Sequence, residues 1–141
     1  APIQIATNMG TALLRLERID EAIESYREGL KYDSANPVLL DNMAAAFAKR
    51  GDDNEAIKYA KLNITANPGN IDAYDFLGGI YSRRGDYENS IEYYMKALSL
   101  NPNDPLLNWN IALALEKMGK GDEAAKYVGH YFNLNKRGMH Q

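Results

Sequence analysis

The chain contains no cysteine, which removes disulfides, thiolate metal sites and cysteine nucleophiles from consideration. Its two histidines, His130 and His140, do not have the i, i+4 spacing of a helical metal-ligand pair. Positive charge is not in surplus. The formal net charge is −3, so the counterion release that drives binding to a nucleic-acid backbone is not on offer. No apolar run approaches the roughly 18 residues needed to span a bilayer, and no secretory signal is visible. These absences select no compartment, with a soluble, cytoplasmic setting slightly favoured. The chain opens on Ala1-Pro2 rather than Met and reads as a mature fragment or an excised domain. Ser25, Ser34, Ser82, Ser90 and Ser99 have no nucleophile motif around them. Gly78-Gly79 falls inside a helical pattern rather than in a phosphate loop, and Asp52-Asp53 reads as a helix cap. No catalytic constellation emerges, so the expectation is a non-enzyme with no cofactor and no metal.

What is present is a repeat. The 141 residues, with 45% apolar and 25% charged side chains, suffice for one compact domain or one short array. Sliding the sequence against itself by about 34 residues aligns Ala22, Ala56, Ser90 and Ala124. It also aligns Ile23, Ile57, Ile91 and Ala125, then Leu30, Ile64, Leu98 and Phe132. Met9, Met43, Leu77 and Ile111 form another apolar column, followed by the small residues Gly10, Ala44, Gly78 and Ala112. Leu13, Phe47, Tyr81 and Leu115 form a fifth. The register holds without insertion over residues 3–36, 37–70, 71–104 and 105–138, leaving a tail at 139–141. The expected organisation is a single repeat domain over residues 1–141.

Each repeat reads as two helices. In the third, Tyr74, Leu77, Gly78 and Tyr81 share one helical face. Arg83 and Arg84 ahead of Gly85 mark the end of that helix, because cations suit its negative pole and glycine tolerates the left-handed residue that follows. Asp86 is placed to cap the second helix, which carries Ile91, Tyr94 and Leu98 on one face and closes at Asn101-Pro102. Gly51 and Gly119 repeat the first stop. The first repeat has Glu17 there, so its turn is either strained or differently shaped. The small column lets the two helices of a repeat lie close, and stacked pairs bury a core that one pair alone cannot.

With these residues in view, the third repeat, Tyr74-x2-Leu77-Gly78-x2-Tyr81, then Ser90-x3-Tyr94, then Pro102, resembles the tetratricopeptide repeat, whose period is also about 34 residues. The second and fourth repeats are looser, with Leu40 and Ala60, and Asn108 and Val128, in the aromatic columns. The resemblance implies an all-α, right-handed superhelical solenoid of antiparallel helix pairs, with a concave groove lined by the first helix of every repeat. It also implies a protein-interaction module, an adaptor or scaffold, holding a peptide segment in that groove. The alternatives are a self-associating structural assembly and the regulatory repeat domain of a larger enzyme.

The family's geometry assigns Asn8, Asn42 and Asn110 to one groove column, where amides pair with the backbone of an extended peptide. Lys49 and Arg83 belong to a basic column with Arg15 and Lys117, suited to acidic ligands or equally to the helix dipole. Asp41, Asp72, Asp75 and Glu116 share the groove. The most individual feature is apolar: Phe76 replaces the ladder asparagine, and Leu106, Trp109 and Leu113 line the fourth repeat. Exposed aromatics on a concave face are usual peptide anchors; the alternative is that Trp109 and Phe76 pack on each other and stiffen the array. The carboxylate clamp of some family members is not expected, because its positions carry Thr7, Thr11, Asn42, Asp72 and Phe76. The sequon at Asn63 falls in a column packed between repeats. Past the fourth repeat too little chain remains for a capping helix. Tyr131 either covers the core there or leaves a surface for a partner, such as a second copy joining through the terminal helix. The expected partner is a protein or peptide, not nucleic acid, with no insertion into a membrane.

Overall fold

The computed structural model describes residues 1–139. Among them lie eight α-helices and no strand: α1 (Pro2–Arg15), α2 (Ile19–Leu30), α3 (Pro37–Arg50), α4 (Asp53–Ala66), α5 (Ile71–Arg83), α6 (Tyr87–Leu100), α7 (Pro105–Lys117) and α8 (Gly121–Met139). Each 34-residue repeat is a helix pair, as its periodicity predicts. The described residues divide into two compact bodies, residues 1–73 and those from 74 onward, with the division inside α5. In the first body α1 packs on α2, α2 on α3 and α3 on α4; in the second α6 packs on α7 and α7 on α8.

The helix ends follow the local chemistry. Asn36, Asp86 and Asp104 accept hydrogen bonds from the amides of Leu39, Asn89 and Leu106, which satisfies first-turn donors that have no partner within the helix. Pro37 and Pro105 open α3 and α7 at positions where a missing N–H costs nothing. Gly51, Gly85 and Gly119 carry positive φ after the first helices of three repeats. Glu17 adopts the same left-handed conformation, with φ of 60°. Of the two alternatives for this turn, the strained one is realised.

Close packing within a repeat depends on the small column. A Cβ placed on Gly78 would lie 2.6 Å from the Tyr94 ring, and one on Gly10 would meet the ring of Tyr26. The pairing is consistent along the chain. Where the second helix carries tyrosine (Tyr26, Tyr94), the first carries glycine; where it carries Ala60 or Val128, the first carries Ala44 or Ala112. Ser90 adds a buried hydrogen bond to the Gly78 carbonyl at 2.8 Å. Asn63 is fully buried and donates to the Pro37 carbonyl at 3.2 Å, which makes it a packing residue as its column suggests.

The last helix of the fourth repeat is the longest among the described residues. α8 has 19 residues, against 12 to 14 in the other helices, and runs through Asn135–Gly138 to Met139. The polar segment that reads as too short to cap the array instead prolongs the last helix. His140 and the remainder of the 139–141 tail lie outside the described residues.

Candidate functional site

The face that first helices turn away from their partners is built most distinctively in α7. Asp104 and Pro105 start this helix, and Leu107, Asn108, Ile111, Ala112, Ala114 and Leu115 fill its buried side. With that side committed, the intervening residues must face outward. Leu106 is 65%, Trp109 37% and Leu113 48% exposed, at the three- and four-residue spacing that puts them on one stripe. Asn110 stands beside them, half-buried.

Trp109 is packed from the neighbouring helix. The ring that meets it is Tyr131 of α8, with centroids 4.9 Å apart, and Tyr131 in turn meets Phe132 edge-on at 5.3 Å. The large residue at the column that normally admits a further repeat therefore supports the tryptophan from behind. Next to it lies a small pocket of about 100 Å³, lined by Trp109, Ala112, Leu113 and Glu116 of α7 with Ala124 and Val128 of α8. Phe76 is half-buried on α5, and Arg83 is exposed in the last turn of that helix.

In the first body, Asn8 is exposed and accepts a hydrogen bond from the Gln4 side chain at 3.2 Å. Asn42 is half-buried on α3. Lys49 lies 3.3 Å from the Glu17 carboxylate, so the basic column is partly neutralised within the chain. Both partners are well exposed, and such a pair contributes little to stability. Asp41 takes part in internal bonding, accepting from Asn63 at 2.5 Å and from Asn70 at 3.3 Å. Burial raises its carboxyl above the usual carboxylate range, the bonds from Asn70 and Asn63 pull it back, and the nearby Asp72 carboxylate adds to the rise. Its role is to tie α3 to α4 and the following turn.

His130 is exposed and meets the Tyr127 ring edge-on at 5.9 Å. Among the described residues no three histidine, aspartate or glutamate side chains converge as a metal site, and no helix is long and apolar enough to cross a membrane. The residue pattern also left a cleft between α1 and α2 unread. It measures about 810 Å³, and its walls include Ile5, Met9, Leu13, Ser25 and Tyr32.

Comparison with known proteins agrees with this architecture. A family model described as a tetratricopeptide repeat matches residues 3–36, and one described as a TPR repeat matches residues 78–119. Between them they take in more than half of the chain. Among solved structures, a crystal structure of MamA protein is similar with a TM-score of 0.86 at 25% identity, over 96% of this chain and 74% of that one. A second crystal structure of MamA gives a TM-score of 0.91 at 24% identity, over 99% and 81%. Helix-pair repeats of this type are interaction scaffolds and not an enzyme fold. The chain belongs to the tetratricopeptide repeat family, an all-α solenoid of antiparallel helix pairs, and is a protein–protein interaction or scaffold module.

Proposed function

We propose that the chain is an adaptor that holds a peptide segment of a partner protein on the exposed face of its first helices, anchored at α7. The observation that carries this reading is the outward stripe of Leu106, Trp109 and Leu113. Large apolar groups on an exposed face cost solubility and are kept where they bind something. Trp109 is held by Tyr131, so little side-chain freedom is lost when a ligand covers it, and preorganisation of this kind favours binding. The pocket between Trp109 and Val128 has room for one aliphatic side chain. Asn110 supplies an amide for a peptide backbone, Phe76 extends the apolar contact and Arg83 favours acidic groups on the ligand; Asn8, Asn42 and Lys49 offer the same chemistry on the first body.

The test is capture from the source lysate with wild type beside a Phe76→Ala/Trp109→Ala variant of equal helicity. A protein retained by wild type and lost from the variant supports the reading, provided one of its own peptides binds wild type at least tenfold more tightly. Equal recovery by both baits refutes it. A second reading, self-association through the terminal helix, draws on Phe132, 57% exposed on α8. Mass measured over a range of concentrations separates it from the first.

A further inference from the structure

The fourth repeat puts a polar side chain into a core column. That column holds Ala6, Leu40 and Tyr74 in the first three repeats and Asn108 in the fourth. Asn108 is as buried as the leucine, each 2% exposed. A buried amide costs free energy unless both its donor and its acceptor are met. Nδ2 donates to the Asp104 carbonyl at 3.0 Å, but nothing among the described residues donates to Oδ1. Every fully buried side-chain N or O atom among those residues has a hydrogen-bond partner. Oδ1 is therefore not sealed in; it opens onto a pocket that Asn108 lines.

The pocket measures about 270 Å³ and lies between the α6–α7 turn, α7 and α8. Pro102 and Leu134 form its apolar wall, while His130, Asn133 and Arg137 bring N–H donors. These three donors stand in one row on α8, three and four residues apart, over about 10 Å. Among the described residues no carboxylate lines the pocket, although the chain as a whole is acidic. Arg137 has no ion pair among them.

A second departure from the repeat makes the row possible. α4 and α6 stop at Asn67-Pro68 and Asn101-Pro102, whereas the same two positions in α8 carry Asn135-Lys136. Without the proline the helix continues and carries Arg137 alongside the pocket. The openness of this face belongs to the repeat itself. The residues in register with His130 and Arg137 are Glu28 and Ala35, Leu62 and Gly69, and Lys96 and Asn103, and all of them are exposed.

We propose that this pocket binds the free C-terminal end of a partner peptide. The terminal carboxylate pairs with the Arg137 guanidinium, whose fork matches it. A peptide N–H near that end donates to Asn108 Oδ1, and an apolar terminal side chain lies on Pro102 and Leu134. Asn133 and His130 donate to carbonyls further back. The row is as long as about three residues of extended chain, which favours a peptide over a free N-acylated amino acid bearing the same group. A bare inorganic anion leaves Oδ1 without its donor. The site uses none of the groove positions of the family's carboxylate clamp, Thr7, Thr11, Asn42, Asp72 and Phe76. It lies on the side of α7 away from Leu106, Trp109 and Leu113 and does not rest on that stripe.

The probe is a hexapeptide of five alanines and a C-terminal leucine, labelled at its N-terminus, beside a copy amidated at the C-terminus. Fluorescence anisotropy with the whole chain is expected to show saturable binding of the free acid. Losing a charged hydrogen-bonded pair should weaken the amidated copy at least about tenfold. Arg137→Gln changes only an exposed side chain, and Asn108→Leu installs the residue of the second repeat; each should weaken binding at least about tenfold with helicity unchanged. Trp109→Ala should leave it as it was. N-acetyl-leucine should displace the probe at least about tenfold less well than the unlabelled hexapeptide. No binding, equal binding of acid and amide, or binding that survives both pocket variants overturns the proposal. Equal displacement by N-acetyl-leucine overturns the peptide as the occupant.

Discussion

Replacing Gly78 by alanine tests whether the glycine–tyrosine pairing is a packing constraint. The added Cβ would sit 2.6 Å from Cδ1 and Cε1 of Tyr94, and ordinary carbon contacts are about 3.5–4.0 Å. The ring must therefore retreat by about 1 Å. It is buried, only 6% exposed, so the retreat pushes into α5 and α6. Overpacking of this kind costs about 1–3 kcal/mol, while alanine returns about 1 kcal/mol of helix propensity. The single variant should lose up to about 2 kcal/mol. Tyr94→Ala alone removes a buried ring and should cost about 3–5 kcal/mol. The double variant recreates the Ala44/Ala60 pair of the second repeat. In that background the overpacking vanishes, and Gly78→Ala should be neutral or stabilising by about 1 kcal/mol. Urea unfolding followed by circular dichroism at 222 nm closes the cycle, with an expected coupling of at least about 1 kcal/mol. If Gly78→Ala costs the same with and without the Tyr94 ring, the ring does not dictate the glycine and the argument fails.

Further outcomes follow from the same geometry. Glu17 holds a left-handed φ of 60° that costs a side chain about 1–2 kcal/mol. Glu17→Gly forfeits a surface pair with Lys49 and makes the unfolded chain more flexible. The expected net is a gain of about 0.5 kcal/mol in chemical denaturation, and a measured loss would show the turn to be unstrained. Tyr94 is pushed up to about 12 by burial, with the Asp75 carboxylate adding to the rise. Because the folded value lies above the unfolded value near 10, the neutral phenol stabilises the fold fully below about pH 10, and this contribution is lost as pH rises toward 12. Absorbance titration at 295 nm, with Tyr94→Phe as the reference, should show one phenol ionising near pH 12 or on unfolding; ionisation near pH 10 in the folded chain would contradict the burial.

Much of the fold was legible because repetition multiplies weak signals. One small residue means little, but Gly10, Ala44, Gly78 and Ala112 at equal spacing define a helix crossing, and the glycines after α3, α5 and α7 define its turns. The site was legible only in part. Leu106, Trp109 and Leu113 face outward as their phase requires, because the other side of α7 is committed to the core. The support behind Trp109 was not legible. Tyr131 reaches it from a different helix, and in sequence Phe76 was an equally available partner. Asp41 and Lys49 also read as groove contacts, whereas Asn63, Asn70 and Glu17 engage them within the chain. Periodicity assigns a side chain to a face but does not say which neighbour satisfies it. The α1–α2 cleft did leave a signal, since Ser25 stands in a column otherwise filled by Tyr59, Tyr93 and Tyr127. Tyr59 and Tyr93 stack on Phe47 and Tyr81 and so fill a space that the serine leaves open.

The central claim, that a partner peptide anchors on the α7 stripe, is tested most directly by one titration. A peptide from the captured partner is titrated into wild type and Trp109→Ala by isothermal calorimetry, with helicity compared in parallel. An anchoring tryptophan carries at least about 2 kcal/mol, so the account predicts affinity weakened about 30-fold with helicity nearly intact. Unchanged affinity at intact helicity would contradict it and move the binding surface away from α7.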